Sequence, residues 1–465
     1  MRKSNTSTAT RSETAGGVAE ILGRYVHDLD ASTLDPHTCE TVMRCLLDVM
    51  ISAAAARLQP GVLAADHAAR VLHPSGNAQL WFTDRTAGPP GALLANSTAA
   101  SALDLDDGYR GARGHPGAAV IPAAVAAISL NDTLPVKQFI ASIVAGYEVG
   151  IRLAMARHGY APSGAWSGYC VVAAAGKMLG ARAEVIAQAL GIVAQTGPAL
   201  PALAGIAGSD VKEGIGAGAS AGWTALHLAM AGFTGPSSIF EDATLFDAQV
   251  ALDGLGGTPL INGTYFKPYG CCRHIHAPLD ALRQLISANE LKIEDIRRID
   301  VHTYRATFNL SNLPHPATLV QAQYSVPYCM ALSAKYGADA LVPLDVRHFS
   351  DNEVIDLAQR THVLHDPGIE PLFPHRSPAR VTVTLEDGRE LRSPVTDSRG
   401  DPDRPLSWPE LERKLMTATR DTLAEDHRQG ILEGIAGLRA DSWKAFLACL
   451  ARPANVYNND IRGTA

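Results

Sequence analysis

Alanine-rich segments with helical periodicity occupy the first half of the chain. Apolar residues recur at spacings of three and four in AGGVAEILGRYVHDL, PHTCETVMRCLLDVMISAAAARL and PVKQFIASIVAGYEVGIRLAMARH. This spacing places the apolar side chains on one face of each helix. Abundant alanine and glycine, as in GIGAGASAGWTALHLAMAGF, let helix axes approach closely. The pattern predicts a large helical domain over residues 15–262.

Alternation typical of β-strands begins after about residue 262. IRRIDVHTY and ARVTVTLEDGRELRSPV alternate β-branched and polar residues, and Asp387-Gly388 favours a two-residue hairpin turn. Helical stretches lie between these strands, in APLDALRQLISANE and VQAQYSVPYCMALSAKYG. We therefore expect a smaller α/β domain over residues 263–404. The proline-rich SRGDPDRPLSWPE predicts a boundary, followed by two closing helices within 405–455 that rejoin the helical domain. The predicted fold class is mainly α with an α+β part.

Length and charge exclude several classes of protein. The chain has 465 residues, of which 46% are hydrophobic, enough for a large buried core. With a formal net charge of −7 and no block of lysine and arginine, we expect no nucleic-acid partner and no anionic membrane surface. No window has about 18 uninterrupted apolar residues, so we expect no membrane span. Residues 1–14 lack the apolar core of a signal peptide, which predicts a disordered tail and a cytoplasmic protein.

Three motifs match known functional patterns in the wrong context. The seven cysteines are scattered and form no C-x-x-C pair, so we expect reduced thiols and no zinc or iron–sulfur site. The run C-C-x-H-x-H from Cys271 has an unusual spacing for a metal site. Ser220 lies in a G-x-S-x-G match, overlapping a dinucleotide-like glycine pattern, but no apolar strand precedes either one. We therefore expect neither a metal nor an NAD cofactor.

Ionisable residues gather in four turn-rich segments within apolar surroundings. They are LDLDDGYRGARGHPG at 103–117, SDVKEG at 209–214, FKPYGCCRHIHAP at 266–278 and QYSVPY at 323–328. Residues of these types could bind a metal, hold a polycarboxylate, move a proton, or only keep a loop in water. Taken one at a time, the segments do not decide between these alternatives.

Taken in order, the segments resemble the MmgE/PrpD family from about residue 15 to 452. The resemblance is carried by ALDLDDGYRGARGHPGAAVIPAAVA, GYEVGIRLA, KPYGCCRHIHAPLDA and YSVPYCMALS. It implies a homodimeric enzyme with a large helical domain built from both chain ends and an inserted α/β lid domain. It also implies a site in the cleft between the domains that acts on di- or tricarboxylates without metal or organic cofactor.

The resemblance also assigns site residues. His115 matches the active-site histidine, Asp104 the first aspartate of a D-x-[DN]-D-T segment, and Lys212, Lys267 and Tyr328 match site lysines and a site tyrosine. The chain departs from the family at three positions: Gly108 follows Asp107 where threonine is usual, and Ala161 and Cys272 stand where some relatives carry histidine. These changes leave open whether the reaction is a dehydration, a decarboxylation or an epimerisation.

Proton removal next to a carboxylate explains these residue types. It creates an enolate-like dianion that fixed positive charge must stabilise, while separate groups move the proton. The predicted catalytic residues are His115, Asp104, Asp107, Lys212, Lys267 and Tyr328, and the predicted substrate contacts are Arg110, Arg113, Arg273, Cys272 and His158. We expect a lyase that needs no cofactor and acts on a small di- or tricarboxylate. The alternatives are an isomerase or epimerase of the same family, and a homologue that binds a carboxylate without turnover.

Overall fold

The computed structural model describes residues 16–130, 133–199 and 209–454, so the predicted tail lies outside the described residues. The α-helices of these ranges are α1 (Val18–Asp28), α2 (Pro36–Ala55), α3 (Pro60–Leu72), α4 (Pro89–Ser101), α5 (Gly117–Ile128), α6 (Val136–Ala156), α7 (Ser167–Met178), α8 (Ala183–Thr196), α9 (Ile215–Met230), α10 (Ala248–Leu252), α11 (His276–Asn289), α12 (Leu319–Gln323), α13 (Val326–Tyr336), α14 (Asn352–Gln359), α15 (Trp408–Ala418), α16 (Glu425–Arg439) and α17 (Lys444–Ala451). The strands are β1 (Ala78–Gln79), β2 (Thr86–Ala87), β3 (Gly108–Tyr109), β4 (Thr264–Tyr265), β5 (Ile296–Thr303), β6 (Thr361–His365), β7 (Arg380–Leu385) and β8 (Glu390–Arg392). The predicted mainly α fold with an α+β part is confirmed.

Small residues let the central helix α6 pack tightly. It contacts α7, which in turn contacts α5 and α9. A side chain at Gly150 of α6 would overlap the Cys170 thiol of α7, and one at Gly218 of α9 would overlap the carbonyl of Gly164. The glycines at these contacts therefore allow the close approach that the sequence predicts.

Helix α6 is also the one helix of the described residues that is long and apolar enough to cross a membrane by length and composition. However, 83% of its apolar window is buried inside the protein. A core helix of a large helical domain has the same length and composition.

The C-terminal helices return to the helical part, because α15 and α16 both contact α2. Three helices form here, whereas the sequence analysis predicted two. The chain leaves the helical conformation after α16, and Asp441 takes a positive φ of 57°, a conformation that does not continue an α-helix. The second closing helix, which the sequence predicts at about 428–451, is therefore divided between α16 and α17.

A four-stranded sheet lies entirely between residues 296 and 392, in the order β6-β5-β7-β8. Strands β5 and β6 are parallel, and the other two pairs are antiparallel. The sequence analysis did not predict β6. The predicted helix over 320–337 is divided into α12 and α13, because Ser325 caps a new helix, accepting a hydrogen bond from the Tyr328 amide, with Pro327 in its first turn.

The hairpin at Asp387-Gly388 forms with a longer turn than predicted. The Leu385 amide donates to the Arg389 carbonyl, and the Gly388 amide donates to the Leu385 carbonyl. The turn therefore contains three residues, and Gly388 has a φ of 86°. This is the geometry of a type I turn followed by a left-handed residue.

Ser220 and the cysteines occupy ordinary structural positions. Ser220 lies within α9, not at a turn between a strand and a helix, so the expected absence of a nucleophile elbow agrees with the fold. All seven cysteines are free, as the prediction of reduced thiols requires. His276 Nε2 donates to the Cys271 carbonyl at 3.0 Å, and His274 Nδ1 pairs with the Tyr304 hydroxyl at 2.6 Å.

The short β3–β4 pairing connects two of the polar segments. Gly108 lies opposite Tyr265 and Tyr109 opposite Thr264. The loop between α4 and α5 is thereby placed beside the segment that follows β4. A buried ion pair also holds this loop. Lys414 of α15 donates to Asp48 of α2 at 2.6 Å and to the Leu105 carbonyl at 2.7 Å.

We expect Lys414→Ala to destabilise the protein by about 3 kcal/mol, because it leaves a buried carboxylate and a buried carbonyl without their donor. The change is measured by the shift of the urea midpoint at pH 7. Arg298→Ala is the matched control, because it breaks the ion pair with Asp300 at the surface, which is worth less than about 1 kcal/mol. Equal shifts for the two variants would contradict a structural role for the buried pair.

Candidate active site

Asp104 is the centre of the polar cluster. It follows α4 and takes a left-handed conformation with a φ of 52°, which turns its carboxylate inward. Its Oδ1 accepts hydrogen bonds from Lys212 Nζ at 2.8 Å and from Lys267 Nζ at 2.5 Å. Lys212 precedes α9 and Lys267 follows β4, so the carboxylate joins three of the four polar segments. All three side chains are 3% exposed or less.

These charges hold one another in the ionised state. Burial alone would raise the pKa of Asp104, but Lys212, Lys267 and His115 outweigh it and hold that pKa well below its usual range. Burial would likewise lower the pKa of Lys212, yet Asp104 and Glu213 hold it well above its ordinary value. The site therefore keeps buried positive charge near neutral pH.

His115 has a fixed orientation beside this carboxylate. Its Nδ1 lies 2.8 Å from the backbone carbonyl of Asp107. Because a carbonyl only accepts hydrogen bonds, Nδ1 carries the proton and donates. In the neutral ring Nε2 is then the basic nitrogen, and it lies 3.6 Å from Asp104 Oδ1 and 3.9 Å from Glu213 Oε1. The ring is thus oriented to accept a proton at Nε2.

Glu213 is a site residue that the sequence analysis missed. Its Oε2 accepts hydrogen bonds from the amide of Ser163, at 3.0 Å, and from its hydroxyl, at 2.6 Å. The Ser163 hydroxyl oxygen also accepts from the His115 amide at 3.0 Å. Glu213 therefore holds the backbone of His115 through Ser163. Its place next to Lys212, in a segment already selected for its polarity, was the available signal.

Asp107 and Asp106 occupy different surroundings. The Asp107 carboxylate accepts from the Tyr147 hydroxyl at 2.6 Å, while only its backbone carbonyl contacts His115. Burial, with a contribution from Asp48, raises the pKa of Asp107 well above its usual value. The structure thus directs the Asp107 side chain away from Nε2, and its predicted catalytic role stays a prediction. Asp106 Oδ2 lies 3.4 Å from His115 Nδ1.

Two of the predicted substrate contacts already bind a carboxylate of the chain. Arg110 donates to both oxygens of Asp401 at 2.8 Å. Arg273 donates to Asp401 Oδ1 at 2.8 Å and to the Arg399 carbonyl at 2.9 Å. Arg273 lies over the ring of Tyr265, 4.7 Å from its centroid. We call Arg110, Arg273 and Asp401 the arginine fork.

The structure brings Cys272 close to the cluster, whereas Arg113 and His158 lie at exposed positions. Burial, with a smaller contribution from Asp104, raises the pKa of the Cys272 thiol to about 12, so it is not a thiolate near neutral pH. Arg113 is exposed and lies over Tyr160. His158 is also exposed and bonds the Ala243 carbonyl at 3.1 Å. The predicted substrate contacts of Arg113 and His158 stay predictions.

Tyr328 lies outside the cluster, whereas Tyr324 lies inside it. The Tyr328 ring packs edge-on against Phe349, and its hydroxyl has no hydrogen-bond partner among the described residues. Its predicted role stays a prediction. The Tyr324 ring centroid lies 5.9 Å from Lys212 Nζ. Burial, with a smaller contribution from Glu213, raises the pKa of Tyr324 well above its usual value despite Lys212, so its hydroxyl keeps its proton.

A set of possible metal ligands is present, but two ammonium groups lie against it. One ligand atom each from Asp104, Asp106 and His115 lies within 4.8 Å of the others. However, the ammonium groups of Lys212 and Lys267 contact Asp104, and their charges repel a cation. Each ammonium group has three N–H donors, and only one from each is directed to Asp104. Donors therefore remain that can bind a carboxylate beside the basic nitrogen of His115.

We expect Asp104→Asn to lower stability at pH 7 by about 3–5 kcal/mol, because two buried ammonium groups lose their charge partner. Since folding lowers the pKa of Asp104, its ionised form stabilises the folded state above the unfolded pKa of about 3.9 and this stabilisation is lost as the pH falls further. Urea midpoints between pH 7 and pH 3 should show the difference from wild type shrinking below about pH 4.

Asp84→Asn is the control, because Asp84 is 79% exposed. It should leave the dependence of stability on pH nearly unchanged. A difference between Asp104→Asn and wild type that stays constant down to pH 3 would contradict the ionised pairing of Asp104.

Comparisons with known proteins agree on one family. The model of the MmgE/PrpD N-terminal domain matches residues 20–254, and that of the C-terminal domain matches residues 269–438. The chain is 22% identical to the cis-aconitate decarboxylase-like protein oryM of Aspergillus oryzae, over 94% of this chain and 97% of that protein. It is 23% identical to cis-aconitate decarboxylase of Aspergillus terreus, over 85% of this chain and 88% of that protein. The chain therefore belongs to the MmgE/PrpD family.

Proposed function

We propose that the chain is a lyase that moves a proton next to a carboxylate on a small di- or tricarboxylate, without a cofactor. The observation that carries the proposal is the position of His115 Nε2 beside a carboxylate, Asp104, that binds two buried lysines. A basic nitrogen and fixed positive charge at one point are what proton removal next to a carboxylate requires. The family and the names of its relatives support a lyase of the dehydratase or decarboxylase type.

In this proposal the lysines bind the substrate carboxylate. Lys212 and Lys267 direct their remaining N–H donors to it, in a site that burial shields from water. The negative charge that develops on the carboxylate oxygens is thereby stabilised where it forms. Lysine suits this role because it is a compact charge with donors that rotate.

His115 moves the proton. In a dehydration, Nε2 accepts the proton of the carbon next to the carboxylate, the C–H electron pair forms the double bond, and the C–O bond on the neighbouring carbon breaks. The hydroxyl group leaves as water after it takes a proton from an acid such as Tyr324. In a decarboxylation, the C–C bond breaks, carbon dioxide leaves, and the protonated Nε2 gives its proton to the carbon that keeps the electron pair.

Asp104 and Glu213 stabilise the protonated ring. Both carboxylates face Nε2, so the positive charge that the ring gains lies beside negative charge. Hydrogen bonding of Nδ1 to a backbone carbonyl keeps the same nitrogen available in each catalytic cycle. The homodimer and the cytoplasmic location expected from the sequence remain part of this proposal.

Proton NMR of the purified protein in D2O tests the proposal. Citrate, 2-methylcitrate, cis-aconitate, malate and iminodisuccinate are supplied one at a time, and every C–H signal is followed. A new alkene signal identifies a dehydration, and deuterium incorporation with release of carbon dioxide identifies a decarboxylation. A new stereoisomer alone would replace the lyase by an epimerase. Thermal stabilisation by an acid without any change in its signals would favour a homologue that only binds carboxylates.

With a substrate identified in this way, Lys267→Ala should lower kcat/KM by about 10²–10³, because one of the two charges that stabilise the dianion is lost. Lys335→Ala is the control, since Lys335 of α13 is paired with Asp351, the N-cap residue of α14, in the α/β part. Its kcat/KM should stay near that of wild type. An equal loss in both variants would show that the effect comes from stability and not from the site.

A further inference from the structure

The arginine fork contains a carboxylate where a ligand carboxylate is expected. Arg110 Nη2 donates to both oxygens of Asp401, and Arg273 Nη2 donates to Oδ1, all at 2.8 Å. A guanidinium group is a common partner for a substrate carboxylate, because it combines a permanent positive charge with several N–H donors. Asp401 thus occupies, as part of the chain itself, a site built for that group.

The backbone holds Asp401 in this position. Gly400 takes a φ of 87°, and a side chain there would overlap the Phe266 carbonyl. The Gly400 carbonyl accepts from the Phe266 amide at 2.9 Å, and the Gly400 amide donates to the Arg404 carbonyl at 2.8 Å. The preceding carbonyl, of Arg399, binds Arg273. Asp401 is therefore a preorganised part of the fork and not a mobile surface acid.

The fork adjoins the lysine cluster. Tyr265 lies under Arg273, and its pKa is raised first by burial and then by Asp104, against the opposing charges of Arg273 and Arg110. The two halves of the site thus meet at one aromatic ring. A ligand that is bound by both halves therefore lies along this ring.

The fork retains the capacity to bind one more anion. Two guanidinium groups face one carboxylate, and the neighbouring His274 is neutral because burial, together with Arg110, lowers its pKa to about 4. The side chain of Arg273 is only 9% exposed, and its Nε–H is buried without a hydrogen-bond partner among the described residues. A buried donor without a partner destabilises the protein until a ligand satisfies it.

The charges of both halves set an upper limit on the ligand. The four cations are Lys212, Lys267, Arg110 and Arg273, and Asp104 and Asp401 neutralise two of them. Asp106 and Glu213, which face His115, can only lower the remaining positive charge. At most two carboxylates of a ligand can therefore meet an uncompensated cation.

We propose that Asp401 is a specificity residue that limits the substrate to a dicarboxylate by occupying the place of a third carboxylate between Arg110 and Arg273. This inference rests on the proposed function, because it assumes that the lysine cluster binds the first carboxylate. A tricarboxylate would have to displace Asp401 or leave one carboxylate without a cation. Each of these costs binding free energy that a dicarboxylate retains.

A pair of unreactive acids tests the proposal by binding alone. Glutarate and propane-1,2,3-tricarboxylate share a five-carbon chain with two terminal carboxylates and differ by one central carboxylate. Calorimetry at pH 7.5 and constant ionic strength gives the Kd of each acid for the wild type and for Asp401→Asn. The ratio of the two Kd values should move toward the tricarboxylate by about tenfold or more in the variant, because the fork gains an uncompensated charge.

Two further variants serve as controls. Asp397→Asn makes the same change of charge nearby on the chain, where Asp397 is paired with Arg376 at the surface, and it should leave the ratio unchanged. Asp401→Glu keeps the charge and should keep the ratio near that of wild type. Asp401→Ser provides a second neutral variant if Asp401→Asn does not fold.

Each outcome decides the matter. A ratio that moves by less than threefold in the neutral variants, or equally in Asp397→Asn, overturns the role of Asp401 and leaves the proposed function standing. If neither the wild type nor any variant binds either acid, the proposed carboxylate site and the role of Asp401 are both overturned. Because no turnover is measured, the reaction type does not affect the result.

Discussion

The hydrogen bonds from two buried lysines to one oxygen of Asp104 determine how the site is assembled. Removing these charges from water is costly, and the cost is offset only if the ammonium groups reach the carboxylate together. Along the chain, Lys212 precedes α9 and Lys267 follows α10. The turn at Asp104, the pairing of β3 with β4 and the helix α9 must therefore take their native positions at the same time.

The change from threonine to glycine after Asp107, relative to the family pattern, has a physical reason in this fold. A side chain at Gly108 would overlap the ring of Tyr265, its partner across β3 and β4. The glycine therefore allows the aromatic ring to lie between the lysine cluster and the arginine fork. The absence of a side chain at Gly108 thus makes room for the large side chain of Tyr265.

Helical periodicity predicted most of the long helices, including α1, α2, α6 and α11, because burial of one face is visible in a local sequence. Strand β6 could not be predicted in this way, since THVLH has little alternation and is defined by its neighbour β5. The polar segments contained the residues that meet at Asp104. The ion pairs of Asp401 with Arg110 and Arg273 could not be predicted, because these residues are far apart in sequence and only the fold brings them together.

The buried ion pairs also have a consequence for synthesis of the chain on the ribosome. Asp104 precedes Lys267 by 163 residues, and Asp48 precedes Lys414 by 366 residues. At translation rates of about 5–20 residues per second, Lys414 is synthesised on the order of 20–70 s after Asp48. Until then the emerging N-terminal helices contain acids that cannot be buried in the charged state. Final packing of the first half of the protein therefore follows the emergence of its last helices.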